Sequence, residues 1–350
     1  MRTLLVTALL LAGCTSAPEP QAVPSPSPSP SGMHAPMTPL SGRPPGRPAG
    51  TRLLVSGDEV FVLDTNSGVR TPVTGLPQGW MWWSQSSAGL HVLYGGPAAD
   101  PQKGRVYLLD GAAATPLARG GSAFPQHAGT GVYVVRPRSK DTCALVLYSL
   151  GGVAASDRDY PCSTVPYRDT SAGLIGAGGL FAPDGRSILS GMSVHDAAGR
   201  WAVVTRGEKL FRVELHPGGG KPGSIVELAP PPAPDGQLGW VSLSPDGRTA
   251  AVALVEPAWP GPRQSFDLWL LDLESAAWSR APGMPVPAAV KTIAHRWTAT
   301  GDLVLAGRFP TTGAVRPAEY SGAVVTVRPG LPYLIVERVD LPDGHTVSVM

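Results

Sequence analysis

Residues 243–254 read LSPDGRTAAVAL, and this stretch decides how the chain folds. Proline presets φ for the first turn position, glycine accepts φ > 0, and the apolar run behind them reads as a buried strand. The arrangement of a tight turn before an apolar strand recurs as WSQSSAGLHVLYG from Trp83, FPQHAGTGVYVV from Phe124, FAPDGRSILSG from Phe181, WTATGDLVLAG from Trp297 and LPDGHTVSVM from Leu341. A second pattern alternates with it, an apolar strand ending in a polar turn. Its copies are VFVLDTNSG from Val60, VYLLDGAA from Val106, LVLYSLGG from Leu145, LFRVELHPGG from Leu210, LWLLDLES from Leu268 and AVVTVRPG from Ala323. Each pattern occurs six times.

An isolated hairpin is marginal in water. Repeating a small sheet every few tens of residues around an axis buries both of its faces and removes long exposed edges, which is the propeller solution. The expected fold is therefore all-β, a six-bladed β-propeller over residues 51–350, with seven blades as the alternative because residues 191–209 have room for further strands. LPDGHTVSVM has no strand after it, and TRLLVSGDEVFVLD at 51–64 has no turn motif before it. The two ends are expected to complete one blade and close the ring. With 43 glycines and 39 prolines, long helices have little room.

FAPDGR at 181–186 and LSPDGR at 243–248, with LPDGH at 341–345 as a partial copy, resemble the WD-like repeats of the TolB-type propellers. The resemblance covers most of residues 51–350 and implies the propeller fold in an extracytoplasmic setting. The other three copies lack Pro-Asp-Gly, and the chain lacks the separate α/β domain of that family, so its partners do not carry over.

Outward from the repeats, the N-terminus supplies an address. Met1-Arg2 precedes the apolar run Thr3–Leu11, too short to cross a bilayer, and then Leu11-Ala12-Gly13-Cys14, which looks like the lipobox of bacterial lipoproteins. Residues 1–13 are read as a signal peptide, with a chance cysteine after an ordinary secretory signal as the alternative. Cys14 is read as the lipidated residue, and 14–50 as a Pro/Ser-rich linker without aromatics. Two or more acyl chains, palmitate among them, anchor stably where one does not. Extended polyproline stalks rise about 3.1 Å per residue, so the linker reaches up to roughly 100 Å.

Charged residues make up 15% of the chain, and 28 basic against 26 acidic residues leave a net charge of +2. That excludes a field strong enough to hold nucleic acid. Beyond Cys14 only Cys143 and Cys162 remain, the number expected for one disulfide in an exported protein; two separately buried thiols are the alternative.

If Pro-Asp-Gly marks the turn from the innermost strand to the second, the longer connections share the opposite face of the ring. Those loops, 95–104, 136–142, 191–209, 255–267 and 306–321, carry Arg136, Arg138, Trp201, Trp259, Arg263, Arg308, Arg316 and Tyr320 as candidate binding residues. Trp82, Trp83, Trp240 and Trp297 are expected to pack blades together, and the Gly-rich stretch 170–179 to form a loop. Ring closure would bring His127 and His295 towards one axis.

The seven histidines show no metal-ligand spacing, and G-x-S-x-G, S-x-x-K and G-x-G-x-x-G are missing. No cofactor or metal is expected. The reading is a monomeric, membrane-tethered propeller acting as a binding or scaffolding module for an envelope protein, polymer or ligand. The alternative is a propeller lyase or hydrolase with catalytic residues drawn from several blades. Convergent His, Asp, Glu or Arg at the channel would favour the enzyme; an apolar, plugged channel would favour partner binding.

Overall fold

The computed structural model describes residues 39–46, 50–97, 103–216, 222–232, 236–255, 264–288, 293–310 and 320–350. In a strand, successive side chains point to opposite faces. Thr249–Val255 uses both: Ala251 and Ala253 pack towards the next sheet, while Ala250, Val252 and Leu254 pack towards the preceding one. Arg52–Ser56 behaves alike, with Leu53 and Val55 on one side and Leu54 on the other. A strand buried on both faces needs a neighbour on each side, and a ring of sheets supplies it.

The described residues form seven such antiparallel sheets, six of four strands and one, the sheet that begins at Gln237–Leu243, of five, in which Val286–Ala288 also pairs with the third strand. Seven blades therefore replace the six expected. Blade 2 starts at Trp80–Ser87, blade 3 at Ser122–Pro125, blade 4 at Pro166–Thr170, blade 5 at Ser193–Ala198, blade 6 at Gln237–Leu243 and blade 7 at Ala294–Trp297, each of these being an innermost strand. Blade 1 takes its inner strand from the C-terminus: Thr346–Val349 pairs with Arg52–Ser56 in the register Leu53↔Val349 and Val55↔Val347, closing the ring. Seven buried apolar clusters fill the seven seams between blades.

The extra blade lies where the sequence has room for it. Residues 191–209 hold Ser193–Ala198 and Trp201–Arg206, the first two strands of blade 5, instead of a loop. The Gly-rich stretch 170–179 is also strand, Gly173–Gly176 and the start of Gly179–Phe181, the second and third strands of blade 4. Gly179 has φ 132°, and a Cβ there would run into the Leu189 carbonyl, so glycine allows a close backbone approach and does not mark a loop. Pro-Asp-Gly turns the inner strand into the second only in blade 6. At 183–185 it joins the third strand to the fourth, and at 342–344 it precedes the closing strand.

Cys143, on the third strand of blade 3, is joined to Cys162 just beyond the fourth, 19 residues on. Residues 39–46, within the range read as linker, lie against blade 7. Leu40 is buried in the seam between blades 6 and 7. Arg43 exchanges backbone hydrogen bonds with Leu334 and Val336 and lays its guanidinium over the Tyr333 ring, 3.9 Å from its centroid. Cys14 and the signal region lie outside the described residues.

Candidate binding site at the channel mouth

Six of the seven inner strands end around one cavity of about 400 Å³, which opens where each turns into its second strand. Its wall carries Arg168 and Asp169 from blade 4, Asp196 from blade 5, and His295 and Arg296 from blade 7, with His127 entering from blade 3. Neighbouring inner strands converge at the axis, so single polar residues near their C-terminal ends become a cluster although they lie far apart in sequence.

Asp196 is almost wholly buried and fully engaged. Its Oδ2 accepts the Leu243 backbone N–H at 2.7 Å and the Arg168 Nη2 at 3.1 Å, and its Oδ1 accepts the Ala197 N–H at 2.9 Å. It thereby ties blades 4, 5 and 6 together at the mouth. Asp169 accepts the His127 backbone N–H at 2.8 Å; burial raises its pKa, and this hydrogen bond opposes the rise. His295 stacks on Trp240, centroids 3.8 Å apart and planes 7° from parallel. Burial, with the nearby charge of Arg168, lowers its pKa to about 4, so its ring is neutral at neutral pH. Arg296 is half-buried, and burial lowers its pKa as well. No hydrogen bond or ion pair engages its guanidinium among the described residues. Three groups with displaced pKa values share this one cavity, which makes the mouth the candidate site.

Chemically, the mouth offers guanidinium donors and a neutral imidazole. No histidine ring in it is hydrogen-bonded to a hydroxyl among the described residues, and Asp169 meets His127 through the backbone and not the ring. No group of three metal-ligating side chains gathers among the described residues.

The residues singled out from sequence lie elsewhere. Arg136 donates from Nε to the Arg119 carbonyl at 2.9 Å and lies over Tyr148. Arg138 binds Asp157 at 2.5 Å and Asp159 at 2.7 Å on the outer part of blade 3. Trp201, on the second strand of blade 5, is buried in the seam with blade 6. Arg308 and Tyr320 do come together, in an open hollow on blade 7 with Arg338 and Asp340, where Arg308 pairs with Asp343 and donates to the Tyr320 carbonyl at 2.5 Å. Trp259, Arg263 and Arg316 lie outside the described residues.

Of the tryptophans expected to pack blades, Trp82 and Trp297 are buried and Trp240 is partly so. Trp83 is 44% exposed and stacks on Tyr94. It points to the opposite side from Trp82, towards blade 3, whose inner strand has four residues against the eight of its own.

His127 and His295 both line this cavity. The mouth's charged residues carried a signal that the repeats concealed. Arg168-Asp169, His195-Asp196 and His295-Arg296 are dipeptides of titratable residues placed just before the turns TSAG, AAG and WTATG. Both members line the cavity in blades 4 and 7, and Asp196 alone does so in blade 5.

Fold and mouth together define a seven-bladed β-propeller with a polar channel mouth. Among solved structures, the chain is similar to TolB from Acinetobacter baumannii, with 12% identity, 87% of this chain and 67% of that chain covered, and a TM-score of 0.49. It is also similar to a putative TolB from Agrobacterium tumefaciens, at 11% identity, 86% and 99% coverage and a TM-score of 0.39. A puromycin hydrolase is matched at 17% identity and a TM-score of 0.40, over 88% of this chain and 46% of that one. No protein-family model and no curated protein sequence matches the chain.

Proposed function

We propose that this protein is a lipid-tethered, extracytoplasmic propeller that serves as a binding module and takes its ligand at the channel mouth. One observation carries the reading: in the cavity on which six blades converge, the Asp196 carboxylate is spent on three hydrogen bonds while Arg168 and Arg296 keep donors open among the described residues. Cavities with a few convergent polar groups are the preferred ligand sites of rigid scaffolds. The lipobox-like segment before Cys14 supports the tether, and the segment from Leu40 to Arg43 that lies along blade 7 fixes where the chain leaves the ring.

The same convergence is what a propeller enzyme needs. Binding is favoured because the carboxylates are held by donors: Asp196 accepts three hydrogen bonds, and Asp169 is held by a backbone amide. A general acid or base has to be free to exchange its proton with a substrate. The test is crosslinking of the full chain in its own membrane, with wild type beside Arg168→Gln. Loss of the captured partner or ligand in the variant supports the mouth as the site, equal capture moves the site elsewhere, and turnover of a captured compound replaces the binding reading with the enzymatic one. Cys14→Ser is expected to free the protein from the membrane or leave an uncut precursor; unchanged partitioning into detergent would remove the tether.

A further inference from the structure

We infer that the channel mouth is a carboxylate site, in which one carboxylate of the ligand lies against the guanidinium of Arg296, which no described group pairs, while Arg168 lines the same cavity. The inference rests on the reading of the mouth as a binding site and gives that site a ligand chemistry.

The argument begins with Arg296. A charged group held half out of water costs free energy unless a partner offsets the loss, and buried charges in folded proteins are accordingly paired. Arg296 has no such partner among the described residues, although acids are at hand: Asp169 and Asp196 line the same cavity and are committed to other donors. Arg296 thus lines a cavity with no described partner on its donors. Arg168 repeats the pattern in part, because only its Nη2 binds Asp196, and its side chain is 40% exposed towards the mouth. A guanidinium presents a planar fork of N–H donors, and the planar anion that matches it in two-point geometry is a carboxylate.

Charge then selects among anions. Arg168 is offset by Asp196, and Asp169 is held by a backbone amide, which leaves Arg296 as the cation with no described partner. A ligand with one negative charge matches the single unpaired arginine. A phosphate dianion would set two charges beside the carboxylates of Asp169 and Asp196, which like-charge repulsion opposes. A cation would meet Arg296. His295, held flat against Trp240, is positioned to donate or accept one further hydrogen bond from the body of the ligand.

A cavity of about 400 Å³ accepts a small organic acid whole, or an acidic side chain or C-terminal carboxylate reaching in from a protein. The chemistry recognised is the same, so the experiment separates the two sources. The full chain in detergent is titrated by calorimetry with acetate, lactate and glutamate, then with lactamide and glutamine, with inorganic phosphate, and with one short peptide bearing either a free or an amidated C-terminus. The expected result is saturable binding of carboxylates, at least tenfold weaker binding of the matching amides, and at least tenfold loss in Arg296→Gln with partial recovery in Arg296→Lys. Circular dichroism of each variant confirms that it folds.

Binding of the small acids identifies a free metabolite, whereas binding confined to the free peptide terminus identifies a protein carboxylate. Both support the inference. Equal binding of amides and acids, phosphate binding as tightly as carboxylate, or full affinity in Arg296→Gln would overturn it. If no carboxylate binds while the crosslinked species is still lost in Arg168→Gln, the carboxylate assignment fails and the binding reading stands. If that species is retained in Arg168→Gln, the binding reading fails with it.

Discussion

Two buried aspartates, each facing an arginine, show how one chemical pair does different work in this ring. In blade 6, Asp267 is fully buried and meets Arg280 at two points, Oδ1 to Nε at 2.9 Å and Oδ2 to Nη2 at 2.7 Å. The Trp269 indole N–H completes the set at 2.9 Å, because residues two apart on a strand share a face. Every partner belongs to the same blade, and the guanidinium grips the carboxylate with two nitrogens. At the mouth, Asp196 is nearly as buried, but its partners come from blades 4, 5 and 6, and Arg168 gives it one nitrogen only. The blade 6 pair is closed and holds a sheet together. The mouth pair is open, and it positions an arginine while leaving that arginine able to act.

Replacing the two acids should separate these roles most sharply. Asp267→Ala strands Arg280 and the Trp269 N–H inside blade 6, and removing one member of a buried ion pair costs about 3–5 kcal/mol. Asp196→Ala strands the Leu243 N–H, while Arg168 regains water through its exposed edge, so the cost should fall to about 1–3 kcal/mol. Urea denaturation followed by tryptophan fluorescence reads both. Equal costs would make the mouth pair a staple like the other and break the contrast.

Acid should distinguish the regions next, and here the mouth is the weaker. Folding lowers the pKa of His295 from its ordinary value to about 4, mainly through burial. Between about pH 6.5 and pH 4 the unfolded chain therefore binds a proton that the folded chain does not, so stability falls as the pH drops through that window. His91 falls to about 4 for the same reason, and His195 moves in the same direction. The contribution of His295 is isolated by difference. Wild type should lose on the order of 2 kcal/mol more than His295→Asn between about pH 7 and pH 4, because each tenfold change in proton affinity on folding is worth about 1.4 kcal/mol. Identical losses in urea titrations at the two pH values would show that the imidazole is not held neutral by the mouth.

How far the sequence reveals the molecule follows the same division. The blades are legible because their logic is local: LSPDGRTAAVAL states its turn and its strand within a dozen residues, and the strands at the two ends of the chain declare their pairing by what each lacks. Blade number is less legible. FAPDGRSILSG and LFRVELHPGG read as one repeat, yet the first closes blade 4 and the second belongs to blade 5, because Pro-Asp-Gly serves any tight turn and does not say which strands it joins. The mouth is hidden for a further reason. Arg168, Asp196 and Arg296 are separated by tens of residues and line one cavity only when the ring closes, so each alone reads as a surface charge. Long loops drew attention to Arg136 and Arg138, whose donors prove to be spent on the Arg119 carbonyl, Asp157 and Asp159.

The smallest expected effect on stability is the one that bears most on the contrast. Arg280→Met would leave Asp267 as a buried carboxylate with only the indole N–H opposite it, and should destabilise by an amount similar to Asp267→Ala. Arg296→Met removes a guanidinium that no group holds among the described residues and keeps the volume of its stem. Nothing is orphaned by the change, and a half-buried charge is relieved, so the unfolding free energy should stay within about 0.5 kcal/mol of wild type or rise slightly. A loss above about 2 kcal/mol in the same urea titration would mean that Arg296 is tied into the fold as firmly as Arg280. Unchanged stability joined to loss of ligand would show a charge kept in the channel for what it binds and not for what it holds together.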